Sequence, residues 1–354
     1  MKMKKFMKKT IAVLLSATMI LGLAACGSDS ETETSAEATT AAAEAASDYK
    51  VAMICNSSIN DGGWGSACYN AMVEAAEKMG WSYEVTDSIS QDAYYDSIIS
   101  YCQLGCDMIY APGNEYTDAV VQAAEEYPDI AFALLNGAED LPASATNQNI
   151  TSLLPDAQQI GWIAGALAGL MSETGTIAFI GGMELDTTLA KYDGYVEAAQ
   201  YVAEQNGKEV KALDAVFAGS FDDSNKGIEF AKAMINEGAD VFFGDASAVD
   251  SGARQAIDEA NTANGEVKIY DIGQPSDILG QNDCVICSQL TDNSAMISEC
   301  MKAVADGSFG GEVIYGNLQN GALGAGAMAD IVPEEVQTQY NDYLQQMVDG
   351  TFLQ

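Results

Sequence analysis

VAMICNSSINDGGWGSACYN, residues 51–70, is the stretch whose reading decides the fold. Val51 to Cys55 is a short apolar run that reads as a buried strand, a Ser/Asn/Asp/Gly cluster follows as a loop, and Trp64 to Met79 reads as an amphipathic helix. A strand, a small-residue loop and a helix N-terminus form the repeating unit of parallel α/β proteins. The loop of such a unit lies at the carboxyl edge of the sheet, where backbone N–H groups and side chains meet ligands. Asn60, Asp61 and Trp64 are therefore the first candidate ligand contacts.

Outward from that unit the pattern repeats. Strands are expected at Val51 to Cys55, Ser82 to Thr86, Met108 to Ala111 and Ile130 to Leu135, with helices near Trp64 to Met79, Asp92 to Leu104 and Tyr116 to Glu126. A second series has strands at Thr176 to Ile180, Lys211 to Phe217, Val241 to Gly244 and Val267 to Asp271. Its helices fall near Thr187 to Gln205, Asp222 to Asn236 and Val249 to Asn261. Two such series in roughly 300 residues exceed one comfortable core, so two lobes are expected.

The boundary between the series falls near residues 147–155, ahead of the helix Ala157 to Met171. That helix is apolar nearly all round yet too short to span a bilayer, which reads as burial between elements of the lobes. Cys284 to Leu290 reads as a strand and Ser294 to Val304 as a helix that crosses back to the first lobe. Two extended pieces, Glu312 to Tyr315 and Ala322 to Gly324, and a helix from Pro333 complete the chain. The expected division is 49–155 with 289–311 as the N-terminal lobe, and 156–288 with 312–354 as the C-terminal lobe. Three crossings make a hinge, and a hinged cleft is a device for enclosing a ligand.

Ahead of residue 49, Lys2, Lys4, Lys5, Lys8 and Lys9 form a positive n-region, and Ile11 to Ala25 an apolar h-region ending in Leu23-Ala24-Ala25-Cys26. This resembles a bacterial lipobox, with residues 1–25 as a signal peptide and Cys26 as the lipidated mature N-terminus. Residues 26–48 are expected to be a disordered, solvated tether, because Gly27 to Asp48 hold no aromatic and no large aliphatic side chain.

The chain has 15 lysines and arginines against 52 carboxylates, and loss of the five leader lysines leaves ten cations. So acidic a surface argues against nucleic acid as a partner. With Arg254 the single arginine, it argues equally against an anionic ligand. The seven cysteines beyond Cys26 are an odd, scattered set. Cys284-Val-Ile-Cys287 has the spacing of half a metal site, but in a strand that spacing points the two thiols to opposite faces, and the chain has no histidine. No metal and no cofactor are expected. NDGGWGS lacks both GxxxxGK[ST] and GxGxxG, which leaves nucleotide hydrolysis and dinucleotide binding without support.

GWIAGALAGLM from Gly161, SETGTIAFIGGMEL, DGYVEAA and AGSFDDSNKGIEFAKAMINEGADVFFGDASAVDSGARQAIDEA, ending at Ala260, together resemble the basic membrane protein (BMP) family of substrate-binding lipoproteins. NDGGW, GCDMIYAPG and AAEEYPDIAFALLNG agree in order in the first half. The resemblance implies an α/β, type I periplasmic-binding-protein fold, with two Rossmann-like lobes of parallel sheet joined by a three-segment hinge. It further implies delivery of a ligand, with purine nucleosides the best-known class, to an ABC permease. In that family one aromatic from each lobe stacks on the base while carboxylates and amides hold the sugar. Trp64 stands near the first aromatic position, where a Phe followed by Asn is more usual, and Phe221 in GSFDD is the candidate for the second. Asp271 matches an aspartate that grips ribose, and Thr291 stands about where a lysine is frequent.

The residues support the same kind of ligand on their own chemistry: a neutral, hydroxylated molecule with a flat face needs stacking area and paired hydrogen bonds. Trp64 follows two glycines and either projects into the cleft or packs as the first core residue of its helix. Asp61 serves as an N-cap, a ligand contact or both. Asn114 in APGN and Asn136 in LLNG end the third and fourth strands, where Asn beside Gly also suits a turn. Met183 ends IGGM at the second lobe's edge, and Phe221 is either a stacking face or a hydrophobic staple. Asp271, closing an apolar strand, is the leading polar candidate, followed by Asp245 and Gln274. The expected protein is a monomeric, lipid-anchored receptor on the extracytoplasmic face of the cell membrane. A receptor for another neutral ligand such as a sugar, for uptake or for signalling, and a carboxylate-based nucleoside hydrolase are the competing readings.

Overall fold

The computed structural model describes residues 48–60 and 64–354. The expected signal peptide, Cys26 and the tether as far as residue 47 lie outside the described residues, as does Asp61. In chain order the elements are β1 (Lys50–Ile54), α1 (Trp64–Met79), β2 (Ser82–Thr86), α2 (Tyr94–Gln103), β3 (Met108–Ala111), α3 (Thr117–Glu126), β4 (Ala131–Leu135), α4 (Leu141–Ser144) and β5 (Ile150–Pro155). There follow α5 (Ala157–Met171), β6 (Thr176–Gly181), α6 (Asp186–Gln205), β7 (Lys211–Ala212), β8 (Val216–Phe217), α7 (Ser224–Asn236), β9 (Val241–Asp245), α8 (Ala248–Asn264) and β10 (Tyr270–Gly273). The last are β11 (Val285–Thr291), α9 (Asn293–Asp306), β12 (Val313–Gly316), β13 (Leu323–Ala325) and α10 (Glu334–Val348).

These strands make two sheets. The first has the order β12-β5-β4-β3-β1-β2 and is parallel throughout. The second has the order β13-β11-β10-β9-β6-β7, with β8 also on β6, and only β13 runs antiparallel to its neighbour. Central strands such as MIYA, AFALL and TIAFIG are buried along their whole length, as strands covered on both faces must be. SYEVT of β2 is largely exposed because it forms an edge.

Each sheet therefore carries two cores. In the first lobe Met53, Tyr110 and Leu135 pack with Met72 of α1 and Ile297 of α9, while Ile54 and Phe132 face Ile98 of α2 and Val120 of α3. In the second lobe Phe179 and Phe243 pack with Leu167 of α5 and Tyr195 of α6, and Phe242 faces Met234 of α7 and Ile257 of α8. Cys284 belongs to the last of these cores and Cys287 to the other, so the two thiols do lie on opposite faces.

α5 is buried because α6 lies directly on it. A Cβ at Gly161 or Gly165 would overlap the carbonyl oxygens of Lys191 or Tyr195, and one at Gly169 would stand 2.5 Å from the Ala199 oxygen. Glycines every fourth residue form the seam that permits this approach.

Two expected strands differ, one of them through local hydrogen bonding. Val267 to Asp271 was expected as a strand, but the N–H groups of Lys268 and Ile269 donate to Asn261 Oδ1 at 3.1 and 3.0 Å. A side chain thus serves the entry, and β10 begins only at Tyr270. Lys211 to Phe217 breaks into β7 and β8.

The lobe boundaries also require correction. Val313–Gly316 extends the first sheet beside β5, so this segment belongs to the N-terminal lobe and not with 312–354; a short strand finds its partners on that open edge. β11 continues in the second sheet to Thr291, so the crossing expected at residue 289 comes after it.

The three crossings have one polarity. β5, β11 and β12 each pass to the other lobe from their carboxyl ends, and β13 enters with Leu323 paired to Thr291, the last residue of β11. The crossings lie side by side, with Asp156 N–H on the Gly316 oxygen at 2.8 Å and Asp292 N–H on the Ala322 oxygen at 2.7 Å. Carboxyl edges of both sheets therefore meet at the hinge, and the space between them is the cleft.

Candidate functional site

On the first-lobe edge, Trp64 opens α1 half-buried against the core, and its indole N–H donates to the Pro112 oxygen beyond β3 at 3.0 Å. That bond fixes the ring between the ends of β1 and β3, so packing and a cleft position are compatible. Asn56, two residues beyond β1, donates its backbone N–H to the Tyr116 hydroxyl at 2.7 Å and its amide to Glu115 Oε1 at 3.0 Å. Asp87, beyond β2, accepts the Ile59 N–H at 3.0 Å and braces the same loop.

Asn60 and Asn114 are exposed with free-standing amides at this level; the Asn60 N–H reaches Ser58 Oγ at 3.2 Å and the Asn114 carbonyl accepts from Thr117 at 2.6 Å. Asn136 has φ 57° and donates its N–H to the Leu153 oxygen at 2.8 Å, the geometry of a turn residue in the left-handed region. Its exposed side chain still stands at the end of β4.

The second-lobe edge holds Met183, Phe221, Asp245 and Gln274 at the adjacent ends of β6, β8, β9 and β10. Met183 is exposed. Phe221 is half-buried, with its ring over Gly182, where a Cβ would overlap it. Asp245 ends β9 and is the hub of a polar network. Its Oδ1 takes the Lys191 amine at 2.8 Å and the Gln274 amide at 3.3 Å, and its Oδ2 takes the Thr188 hydroxyl at 2.9 Å. Lys191 also reaches Gln274 Oε1 at 3.2 Å, and Gln274 donates to the Gly244 oxygen.

Asp271 is not at this edge. Since β10 starts late, Asp271 is its second residue, and its buried carboxylate faces α8, 3.4 Å from Arg254. Burial pushes Asp271 up to about 6, against the opposing pull of the Arg254 guanidinium. Asp250, one turn earlier on α8, accepts the Ala246 N–H at 2.8 Å and is pushed by burial up to about 7. Arg254 thus serves an interior carboxylate cluster.

Sequence reasoning missed Lys191 and Thr188. Their separation by three on α6 places both on one helix face, and Lys191 is one of few cations in an acid-rich chain, in the second turn of the helix that follows an edge loop. Asn56 was missed because it sits between the apolar run and the glycines. Among the described residues, no group of three carboxylate, thiol or imidazole side chains is placed to hold a metal ion, and no helix is long and apolar enough to cross a membrane.

Residues 49–352 match the Bmp family, described as ABC transporter substrate-binding protein PnrA-like. The ABC transporter nucleoside-binding protein BmpA of Lactococcus lactis is 26% identical over 341 residues, 92% of each chain. A transcriptional activator of the comK gene from Bacillus halodurans has a similar structure, with TM-score 0.70 and 21% identity, covering 86% of this chain and 100% of that one. An ABC transporter solute-binding protein from Aeropyrum pernix gives TM-score 0.69 at 20% identity over 85% of this chain and 92% of the other. At that identity the structures speak for the fold alone.

Proposed function

The chain belongs to the Bmp family of PnrA-like ABC transporter substrate-binding proteins, and from that premise we propose that it is a lipid-anchored, extracytoplasmic receptor that closes on a purine nucleoside and presents it to a membrane permease. The observation that carries the reading is the polarity of the hinge. All three crossings leave carboxyl ends, which brings Trp64 and Asn56 from one lobe and Phe221, Asp245 and Gln274 from the other to one cleft. An aromatic ring on each lobe's edge, with amides and a carboxylate on those same edges, suits a flat, hydroxylated molecule.

The charge pattern agrees with a neutral ligand. Lys191, Lys226 and Arg254 lie in the first two turns of α6, α7 and α8, and each is engaged by a protein oxygen, on Asp245, Ala218 and Asp271 respectively. A ligand anion would have to compete for every one of them. The nucleoside-binding name of the lactococcal relative supports the ligand class, and Cys26 at the end of its apolar run supports the anchor. The reading involves no covalent change in the ligand and a monomeric receptor.

Calorimetry with inosine, guanosine and adenosine, with simple sugars alongside, tests the proposal. Saturable nucleoside binding and compaction in small-angle scattering are expected. Binding of a sugar and of no nucleoside would remove the ligand assignment, and release of free base during incubation would replace a receptor with a hydrolase.

A further inference from the structure

We propose that Asn293 is a specificity-determining contact of the cleft, whose side-chain carbonyl accepts a hydrogen bond from an N–H or O–H group of the ligand, on the same face of the first sheet as Trp64. The inference rests on the cleft described above and adds a residue to it.

Asn293 is the first residue of α9, directly after the second hinge crossing, and it is 4% exposed. Its Oδ1 is buried and has no hydrogen-bond partner. An acceptor in that state has lost its water without a compensating bond, which native structures avoid unless a ligand or water completes the site.

The direction of the side chain follows from the helix. Met296, Ile297, Cys300 and Met301 form the buried stripe of α9 and join the core made with β1, β3, β4 and α1. Asn293 precedes Met296 by three, Ile297 by four and Cys300 by seven, so it lies on that same stripe. α9 leads from the hinge down to the start of β12, and therefore runs opposite to the parallel strands. Its first residue is thus level with their carboxyl ends, one turn above the apolar layer.

α1 covers the same face, and its first residue at that level is Trp64. The unmet carbonyl consequently borders the place where a ring stacked on Trp64 would present its edge. A base with a ring N–H or an exocyclic amine supplies the missing donor, and so does a sugar hydroxyl.

Ser298 gives the internal comparison. Its Oγ is also buried without a partner, but it stands five residues on, off the 293–296–297–300 stripe and more than a turn below the edge.

The test compares wild type, Asn293→Leu and Ser298→Ala by calorimetry with inosine, guanosine and adenosine, and by thermal melting without ligand. Asn293→Leu is expected to melt at or above the wild-type temperature, since an unpaired polar atom is replaced by an isosteric apolar group. Its affinity is expected to fall about tenfold or more, while Ser298→Ala binds as wild type. Unchanged affinity in Asn293→Leu overturns the inference, and so does a marked loss of melting temperature, which would reveal a structural role. If wild type binds none of the three, the nucleoside reading fails by itself. Native mass spectrometry of the small molecule carried from the cell then decides Asn293: retention in wild type with loss in Asn293→Leu supports it, and equal retention or equal absence in the two overturns it.

Discussion

The Lys191 amine and the Asp245 carboxylate meet at 2.8 Å, joining the second turn of α6 to the last residue of β9, with side chains only 15% and 23% exposed. Both oxygens of Asp245 are in use, so the pair sets the shape of the second-lobe edge. Removing one member strands the other in a poorly hydrated place. Lys191→Met is expected to cost about 1–3 kcal/mol in urea unfolding, and to weaken ligand binding as Asp245 and Gln274 shift. The Lys191→Met/Asp245→Asn double variant should recover part of the stability, and strict additivity of the two single changes would show that the pair contributes no coupling.

Trp64 is held by its indole N–H on the Pro112 oxygen and is only partly buried. A ligand stacked there should change tryptophan fluorescence on binding, and Trp64→Ala should lose the change along with about 1–3 kcal/mol of affinity. Trp64→Phe, which keeps a ring but not the bond to Pro112, should fall between the two. Equal affinities in all three proteins would place the ligand elsewhere.

The α5–α6 seam makes a stability prediction with its own control. A methyl group at Gly165 would overlap the Tyr195 backbone oxygen, which no rotamer change can relieve, whereas one at Gly324 meets nothing within 4 Å. Gly165→Ala should therefore destabilise by about 1–3 kcal/mol or more, against its gain in helix propensity, and Gly324→Ala should change little. Chemical denaturation of the two variants measures the difference.

Much of the fold was legible because buried parallel strands are written as short continuous apolar runs: AFALL and IAFI have no other home in a chain of this length. What eluded reading was decided by contacts distant in sequence. The start of β10 depends on the Asn261 amide reaching Lys268 and Ile269, and that displacement carried Asp271 from the edge into the interior beside Arg254. Likewise the place of Val313–Gly316 was set by the open edge of β5, which no local pattern announces. Asn60, Asn114, Met183 and Gln274 were readable as edge residues because turn-forming polar or small groups follow each strand. Lys191 could be recognised only once α6 was seen to lean over the end of β9.

The interior carboxylates predict a pH dependence of definite sign. Asp250 faces Arg254 on its own helix, Asp271 on β10 and Asp245 at the end of β9, and burial raises Asp250 to about 7 and Asp271 to about 6 from an ordinary 3.8. Between about pH 4 and 7 the folded state thus holds protons that the unfolded chain has released, so stability falls as pH rises through that window and levels off above it. The melting temperature should decline from pH 5 to pH 8. Repulsion among the other carboxylates pushes the same way, so the diagnostic quantity is the difference between wild type and Asp250→Asn, which keeps an acceptor for the Ala246 N–H but cannot titrate. The variant should gain on wild type as pH rises, because the cost of ionising Asp250 in the interior is absent from it. A difference independent of pH would mean that Asp250 is already ionised, with Arg254 sufficient to hold both carboxylates.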